Sequence, residues 1–204
     1  MTPSAPDPQP TARVQLVVAL LAEARPLVEH FGLSAVRDSG APREFANPEA
    51  SIGLVVSGIG RANAAAAVAR YRHFREAAWL NVGIAGHGQH RVGDPFVADR
   101  IVDDTSGRTW HPRLIFPPPC PTASLRTVER ACLDFPTDDL YDMEAAGFYE
   151  TAIGFAKPGL VQSLKVVSDN LDQRASMLTP ARVTELIDSN LAPITALVRS
   201  FASC

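Results

Sequence analysis

Apolar runs along the chain alternate with segments of helical pattern. The first run, Val14–Leu21, is apolar at every position except Gln15, which is typical of a strand covered on both faces of a sheet. Glu23–Phe31 then has a helical pattern that ends at Gly32. Further strands are predicted at Ile52–Val56, Ala78–Val82, Pro95–Val102, Leu140–Met143 and Leu160–Val167.

Helices are predicted after several of these strands. The alanine run Ala64–Ala67 favours a helix over Arg61–Glu76. A second helix is predicted from Glu144 to about Phe155. The pair Thr179-Pro180 is a favourable start for a final helix from Ala181 to about Phe201.

The alternation of strands and helices predicts an α/β protein, with a three-layer α/β/α arrangement and a central mixed, largely parallel sheet. Two polar or proline-rich segments interrupt it. Asp38–Ala50 is predicted as a loop or weak edge strand, and Thr105–Pro121 as a loop. We expect one domain over residues 14–204, preceded by a proline-rich disordered tail over residues 1–13.

The composition is that of an average globular protein, with 46% hydrophobic and 20% charged residues among 204. A net charge of −3 argues against general nucleic-acid binding. No apolar run is long enough for a transmembrane helix, and the start of the chain lacks a signal-peptide pattern. Three cysteines without a CxxC pair argue against a zinc site or disulfide framework: Cys120, Cys132 and Cys204. We therefore expect a cytoplasmic protein that binds no metal, nucleic acid or membrane.

The residues that carry chemistry follow the predicted strands. In open α/β sheets the carboxyl ends of the strands carry the ligand site. The sequence therefore predicts one site at that edge. The positions concerned are Glu23, Ser57–Gly60, Gly83–Gly88, Met143-Glu144 and Ser168-Asp169.

The first glycine turn has more than one interpretation. Gly58 and Gly60 stand between a strand and a helix, where backbone N–H groups can bind an anion. A dinucleotide-binding fingerprint needs a third glycine at position 63, which is Asn63 here. The simpler alternative is that both glycines only allow a tight turn into a packed helix.

Three carboxylates also have alternative interpretations. Asp169, shielded at a strand end, would have a raised pKa and donate a proton, or it forms a local turn or cap. Glu144 would accept hydrogen bonds from two adjacent sugar hydroxyls, or it is a first-turn residue favoured by the helix dipole. Glu23 is a helix-start residue or a base that activates water. Three histidines lack metal-ligand spacing and are predicted to be surface or loop residues: His87, His90 and His111.

Four stretches, in this order, resemble the superfamily that contains purine nucleoside phosphorylase, uridine phosphorylase and methylthioadenosine/S-adenosylhomocysteine nucleosidase. The resemblance extends over residues 14–170, and among these enzymes the chain most resembles methylthioadenosine/S-adenosylhomocysteine nucleosidase. The stretches are Ser57–Ala64, Asn81–Gly86 with Val92–Asp94, Asp142–Ala146 and Val166–Asp169.

The resemblance implies cleavage of the N-glycosidic bond of a purine-type nucleoside without a cofactor, in a homo-oligomer for which a dimer is favoured. It implies that Asp169 protonates or hydrogen-bonds the leaving base. Glu144 would bind the ribose hydroxyls, and Glu23 would activate the attacking water. Met143 would pack under the sugar, and Ile59 would touch the 5′ end. Such a reaction passes through a cationic sugar, and the base needs a proton to leave. The remaining substrate contacts implied are Gly60, Ile84, Ala85, Gly86 and Ser168.

Water and phosphate are alternative nucleophiles within this superfamily. In the phosphorylases that the chain resembles, an arginine and a serine stand at the positions of Asn81 and Ile84. Their absence favours water. Arg25 and Arg61 would still supply charge, so a phosphorylase with phosphate as co-substrate is the alternative.

Two further departures leave the substrate open. In the nucleosidases a serine replaces Ile84 and an arginine replaces Lys165, while the turn Gly83–Gly86 resembles futalosine hydrolases. The chain is also short between Asp104 and Asp142, where the superfamily builds the wall against the base. Thr105–Phe135 is the compressed remainder, with Thr127–Glu129 as the remnant of that wall.

Two alternatives to an efficient enzyme stay open. One, which the shortened region suggests, is a catalytically weak relative that binds a nucleoside or base as a sensor. The other is an interaction protein without a ligand pocket, which would be favoured if Glu23, Glu144 and Asp169 did not converge on one cavity.

Overall fold

A computed structural model of the chain describes residues 13–36, 42–74, 76–157 and 159–203. Its strands are β1 Val14–Val18, β2 Ser34–Ala35, β3 Arg43–Asn47, β4 Ile52–Val56, β5 Ala78–Gly86, β6 Pro95–Asp103, β7 Thr109–Trp110, β8 Thr122–Thr127, β9 Leu140–Asp142 and β10 Val161–Asp169. Its α-helices are α1 Leu21–His30, α2 Arg61–Arg70, α3 Ala145–Ala152, α4 Pro180–Asp188 and α5 Leu191–Ala202.

The strands form one mixed sheet. Its centre is the parallel set β4-β1-β5-β10. On the β4 side, β3 and then β2 continue it with antiparallel pairings. On the β10 side, β6 pairs antiparallel, and β8 and β9 follow in parallel. Because β9 pairs back to Gly86 of β5, this half of the sheet curls into a closed ring.

Helices cover both faces of the sheet, which confirms the predicted three-layer α/β/α fold with a mixed central sheet. One core packs α1, α4 and α5 against the sheet, through side chains such as Leu27, Ile187 and Leu197. The other packs α2 and α3 against the opposite face, through Val68 and Phe148. The two cores bury most of the large apolar side chains.

Burial on both faces of the sheet explains the residue pattern of strand β1. All of its residues are buried. Val14, Leu16 and Val18 belong to one core and Val17 to the other, because successive side chains of a strand point to opposite faces. A strand covered on both faces therefore does not alternate between apolar and polar residues.

Two predicted boundaries were wrong because long-range pairing decided them. The second glycine turn was predicted to end a strand at Val82, but β5 continues to Gly86, since β10 pairs along it as far as Asp169. The final predicted helix is two helices, α4 and α5. Between them Asn190 donates side-chain hydrogen bonds to the carbonyls of Leu186 and Gly93, at 2.9 and 3.0 Å.

Other segments differ in detail. The helix predicted over Arg61–Glu76 ends at Arg70. Strand β8 was not predicted, and the predicted loop Thr105–Pro121 contains the short strand β7. In the segment Asp38–Ala50, β3 is a strand rather than a loop, but it is not the edge of the sheet, because the two-residue strand β2 pairs on its outer side.

Several predictions concern residues outside the described ranges. The predicted tail is one of them, apart from Arg13, and Cys204 is another. Residues 38–41 of the segment Asp38–Ala50 are also outside. Cys120 and Cys132 are free thiols. None of the helices described is both long and apolar enough to cross a membrane.

Candidate active site

A cavity of about 520 Å³ opens at the carboxyl ends of β1, β5, β9 and β10. Its walls include Ala19–Glu23 after β1, Ile84–Gly86 of β5 and Tyr141–Glu144 around the end of β9. Ser168 and Asp169 at the end of β10 complete the same edge. The volume lies within the roughly 300–1,000 Å³ of small-molecule sites.

The cavity brings together the residues predicted from the sequence, with one exception. Gly60 lines a second cavity of about 230 Å³ next to the first, and Ile59 and Val128 border both. The predicted residues that line the main cavity are Glu23, Ile59, Ile84, Ala85, Gly86, Met143, Glu144, Ser168 and Asp169. The convergence of the three carboxylates speaks against a protein without a ligand pocket.

Glu23 is a helix-start residue, and its carboxylate also reaches the cavity. It is 2% exposed. Its Oε2 accepts hydrogen bonds from the backbone N–H groups of Ala19 and Leu20, both at 2.8 Å, at the start of α1. Its Oε1 accepts from the N–H of Ile84 at 3.1 Å and so reaches the cavity wall. Burial raises the pKa of Glu23, while the nearby ammonium of Lys165 opposes the rise.

Glu144 stands directly before α3 and is 7% exposed. Its Oε1 accepts a hydrogen bond of 2.8 Å from the N–H of Gly60. Within the described residues Oε2 has no such partner. Burial raises the pKa of Glu144 to about 7, with Lys165 acting against the rise and Asp142 adding to it. One carboxylate oxygen is thus held by the protein, and the other is available to a ligand.

Asp169 ends β10 and is 6% exposed. The Ser168 hydroxyl donates to its Oδ1 at 2.5 Å. The turn that was the alternative role for Asp169 is made by Asn170, whose Oδ1 accepts from the N–H groups of Asp172 and Gln173. Burial raises the pKa of Asp169, and the hydrogen bond from Ser168 opposes the rise. The side chain of Asp169 therefore takes no part in the turn.

Lys165 and Asp142 form a buried ion pair behind the carboxylates, and the predicted site did not include them. Lys165 Nζ lies 2.9 Å from Asp142 Oδ2, and both side chains are at most 2% exposed. A signal was present in the sequence, because a lysine inside the apolar run of β10 has to be paired when it is buried. Its partner was not evident, because Asp142 belongs to another strand.

Two glycines of β5 leave room for the side chains of the site. A Cβ at Gly83 would lie 2.8 Å from Glu23 Oε1 and 3.3 Å from Lys165 Nζ. A Cβ at Gly86 would lie 2.7 Å from a ring carbon of Phe135 and 3.0 Å from Asp169 Oδ2. Since both glycines lie within the strand, close approach explains them better than the predicted turn does.

The charges of the cavity disfavour a phosphate ion. Four carboxylate residues line it, and no arginine or lysine of the described chain does. Arg25 is exposed and lies outside it. Arg61 borders the second cavity and pairs with Asp103 at 2.5 Å. Asn81 is buried in the sheet, where its Nδ2 donates to the carbonyl of Val17.

The histidines take no part in the cavity walls. His87 lies in a loop, as predicted, but it is 1% exposed, so its alternative placement on the surface was wrong. Its Nδ1 accepts from the N–H groups of Gln89 and His90, and its ring stacks on His90 with the centroids 3.9 Å apart. Burial lowers its pKa. Across the described ranges, no group of three His, Cys, Asp or Glu side chains is arranged to hold a metal ion.

Neither a family model nor a curated protein matches the chain. Solved structures do. The apo 5′-methylthioadenosine nucleosidase of Arabidopsis thaliana matches with a TM-score of 0.75 and 20% identity, over 95% of this chain and 97% of that one. A Helicobacter pylori methylthioadenosine/S-adenosylhomocysteine nucleosidase variant with 5′-methylthioadenosine in its active site matches with a TM-score of 0.76 and 14% identity, over 93% and 99%.

Futalosine hydrolase of Helicobacter pylori matches equally well, with a TM-score of 0.75 and 15% identity, over 93% of this chain and 98% of that one. The chain therefore has the fold of these nucleosidases, as its resemblance to their superfamily predicted. At such low identities the likeness concerns the fold, and the activity has to be argued from the side chains in the cavity.

Proposed function

We propose that this protein hydrolyses the N-glycosidic bond of a purine-type nucleoside. The observation that carries the proposal is the convergence of Glu23, Glu144 and Asp169 on one cavity that no described cationic side chain lines. Buried carboxylates with raised pKa values are suited to exchange protons near neutral pH. Their combined negative charge favours a reacting sugar that becomes cationic.

Asp169 donates a proton to the departing base. As the glycosidic C–N bond breaks, its electron pair moves to the base nitrogen, which takes the proton of the Asp169 carboxyl group. The Ser168 hydroxyl occupies Oδ1, so the proton is on Oδ2, which lies near Gly86 in the cavity wall. Burial favours this protonated form because it disfavours the charged one.

Glu144 binds the adjacent hydroxyls of the ribose. The N–H of Gly60 holds its Oε1 in place, and a carboxylate can accept hydrogen bonds from both hydroxyls at once. Met143 packs under the sugar, and Ile59, which is 51% exposed, contacts the 5′ end. Beyond Ile59 the second cavity leaves space for a larger 5′ substituent.

Glu23 accepts a proton from the attacking water. The water oxygen forms the new bond to the sugar carbon, and its proton goes to the Glu23 carboxylate. The raised pKa of Glu23 makes it a stronger base than an exposed glutamate. Three backbone N–H groups fix its orientation. The products are a free base and a free sugar.

Phosphorolysis is the weaker alternative, because four carboxylate residues line the cavity and none of the described arginines does. Incubation with a panel of purine nucleosides, with and without phosphate, separates the cases. The panel includes 5′-methylthioadenosine, S-adenosylhomocysteine and futalosine, which the names of the structural neighbours suggest. We expect release of free base without phosphate.

Release that depends on phosphate would instead indicate a phosphorylase. Binding of a nucleoside without release of base would support the catalytically weak relative that only binds.

A further inference from the structure

Lys165 differs from the other basic residues of the chain. Of the 19 basic residues only Lys157 and Lys165 are lysines. Lys157 is 59% exposed and pairs with Glu76. Lys165 is enclosed in β10, four residues before Asp169, with its side chain 2% exposed. An ammonium group in such a place is costly unless a carboxylate compensates it.

The partner of Lys165 belongs to the backbone segment that carries Glu144. Asp142 Oδ2 lies 2.9 Å from Lys165 Nζ and accepts a hydrogen bond, also of 2.9 Å, from the N–H of Ala145. Asp142 is thus bonded to the backbone just after Glu144. Lys165 fixes this bonded carboxylate against β10, and both side chains of the pair are buried.

A second set of bonds supports the same segment from β8. The Thr127 hydroxyl donates to Asp142 Oδ1 at 2.7 Å and accepts from the N–H of Ala146 at 2.9 Å. The two oxygens of Asp142 therefore connect three elements: β8, β10 and the start of α3. Glu144 stands between the two bonded residues, Asp142 and Ala145, so their positions determine where its carboxylate points.

We propose that Lys165, acting through Asp142, is the residue that positions Glu144 for the sugar hydroxyls. The inference rests on the proposed function, because it needs Glu144 to bind ribose. Lys165 itself touches neither the cavity nor the substrate. Its role differs from simple charge compensation in the core, which would affect stability but not the recognition of one part of the substrate.

Sugar recognition gives a measurement that distinguishes these roles. The ratio of kcat/KM for a ribonucleoside to that for its 2′-deoxy analogue reports the hydrogen bond from the 2′-hydroxyl to Glu144. A bond to a charged acceptor makes this ratio on the order of tenfold to a hundredfold in the native protein. Replacement Glu144→Gln should reduce it to a few-fold.

The variant to test is the double substitution Lys165→Met with Asp142→Asn. It removes both buried charges together, so that neither remains unpaired. We expect the ratio to fall at least fivefold toward that of Glu144→Gln. Lys157→Met is the matched control, because it removes the other lysine from an exposed ion pair, and it should keep the native ratio.

A folded double variant with the native ratio would overturn the inference and leave the proposed hydrolysis intact. If the double variant does not fold, Lys165→Gln with Asp142→Asn removes the same two charges and keeps two polar side chains that can bond to each other. A ratio that falls toward that of Glu144→Gln then supports the inference, and a native ratio overturns it. If the native protein hydrolyses no nucleoside, the proposed function fails. The same ratio, taken from dissociation constants measured by calorimetry, then decides the role of Lys165.

Discussion

Asp169 depends on burial for its proposed chemistry. An exposed aspartate is ionised at neutral pH and has no proton to donate. Asp169 is enclosed at the end of β10, and this enclosure raises its pKa. The next residue, Asn170, forms the turn with its own side chain. Because the side chain of Asn170 forms the turn, the carboxyl group of Asp169 is available in the cavity.

Replacement Asp169→Asn tests the proton donor. Asparagine has nearly the same shape but cannot give up a proton to the base, so we expect kcat to fall by about 10²- to 10⁴-fold, with nucleoside binding retained. Steady-state kinetics and calorimetry measure the two quantities. Asp172→Asn, the same change at an exposed position three residues further on, is the control. Turnover close to native in Asp169→Asn would exclude the assignment.

At the scale of elements, β5 supplies most of the geometry of the site. Its pairing with β1 on one side and β10 on the other brings Glu23 and Asp169 to the same edge. Its backbone N–H at Ile84 binds Glu23 directly. Gly83 lies beside Glu23 Oε1 and Lys165 Nζ, so there is no room for a side chain at this position of the strand.

The substitution Gly83→Ala tests this close approach. Its Cβ would lie 2.8 Å from Glu23 Oε1, which requires Glu23 to move away from its three N–H donors. We expect a loss of stability of about 1–3 kcal/mol, which is typical of overpacking, and a fall in kcat of at least tenfold. Urea denaturation and kinetics measure both effects. A variant with native stability and native kcat would contradict the placement of Glu23.

At the scale of the molecule, two hydrophobic cores on either side of one sheet support an acidic cavity between the strand ends. Burial raises the pKa values of Glu23, Glu144 and Asp169. Folding therefore works against their ionisation, and stability depends on pH. The cytoplasmic location and the homo-oligomer, with a dimer favoured, stay predictions from the sequence.

Glu144 allows this pH dependence to be measured. Its pKa is about 7 in the folded chain and 4.5 as an ordinary glutamate, so the folded state binds the proton more tightly. The stabilisation is present below pH 4.5 and is lost as the pH rises through 7. We expect the free energy of unfolding of the native protein, relative to Glu144→Gln, to fall by up to about 3 kcal/mol between pH 4.5 and 8.

Urea denaturation of both proteins at several pH values gives this difference. The contributions of Glu23, Asp169 and His87 are present in both proteins and largely cancel. A difference that stays constant, or that rises with pH, would show that Glu144 is not enclosed as described.

Local pattern and tertiary pairing decided different parts of the site. The strand Ile52–Val56 was predicted with the bounds it has, because a buried strand needs only a short apolar run. Glu23, Glu144 and Asp169 were predicted as site residues because each follows a predicted strand, and parallel strands end at one edge of a sheet. This reason holds for Glu23 and Asp169, whereas β9 before Glu144 runs antiparallel to β5 and reaches the cavity through its pairing with Gly86. Both inferences use information that is local in the sequence.

The tertiary structure decided what depends on distant residues. Strand β5 extends to Gly86 only because β10 pairs with it, and β8 is a strand because it fits between β6 and β9. The pairing of Lys165 with Asp142 joins residues 23 positions apart. The spacing of apolar residues along the sequence predicts none of these pairings, because hydrogen bonds and ion pairs between strands follow from the topology of the sheet.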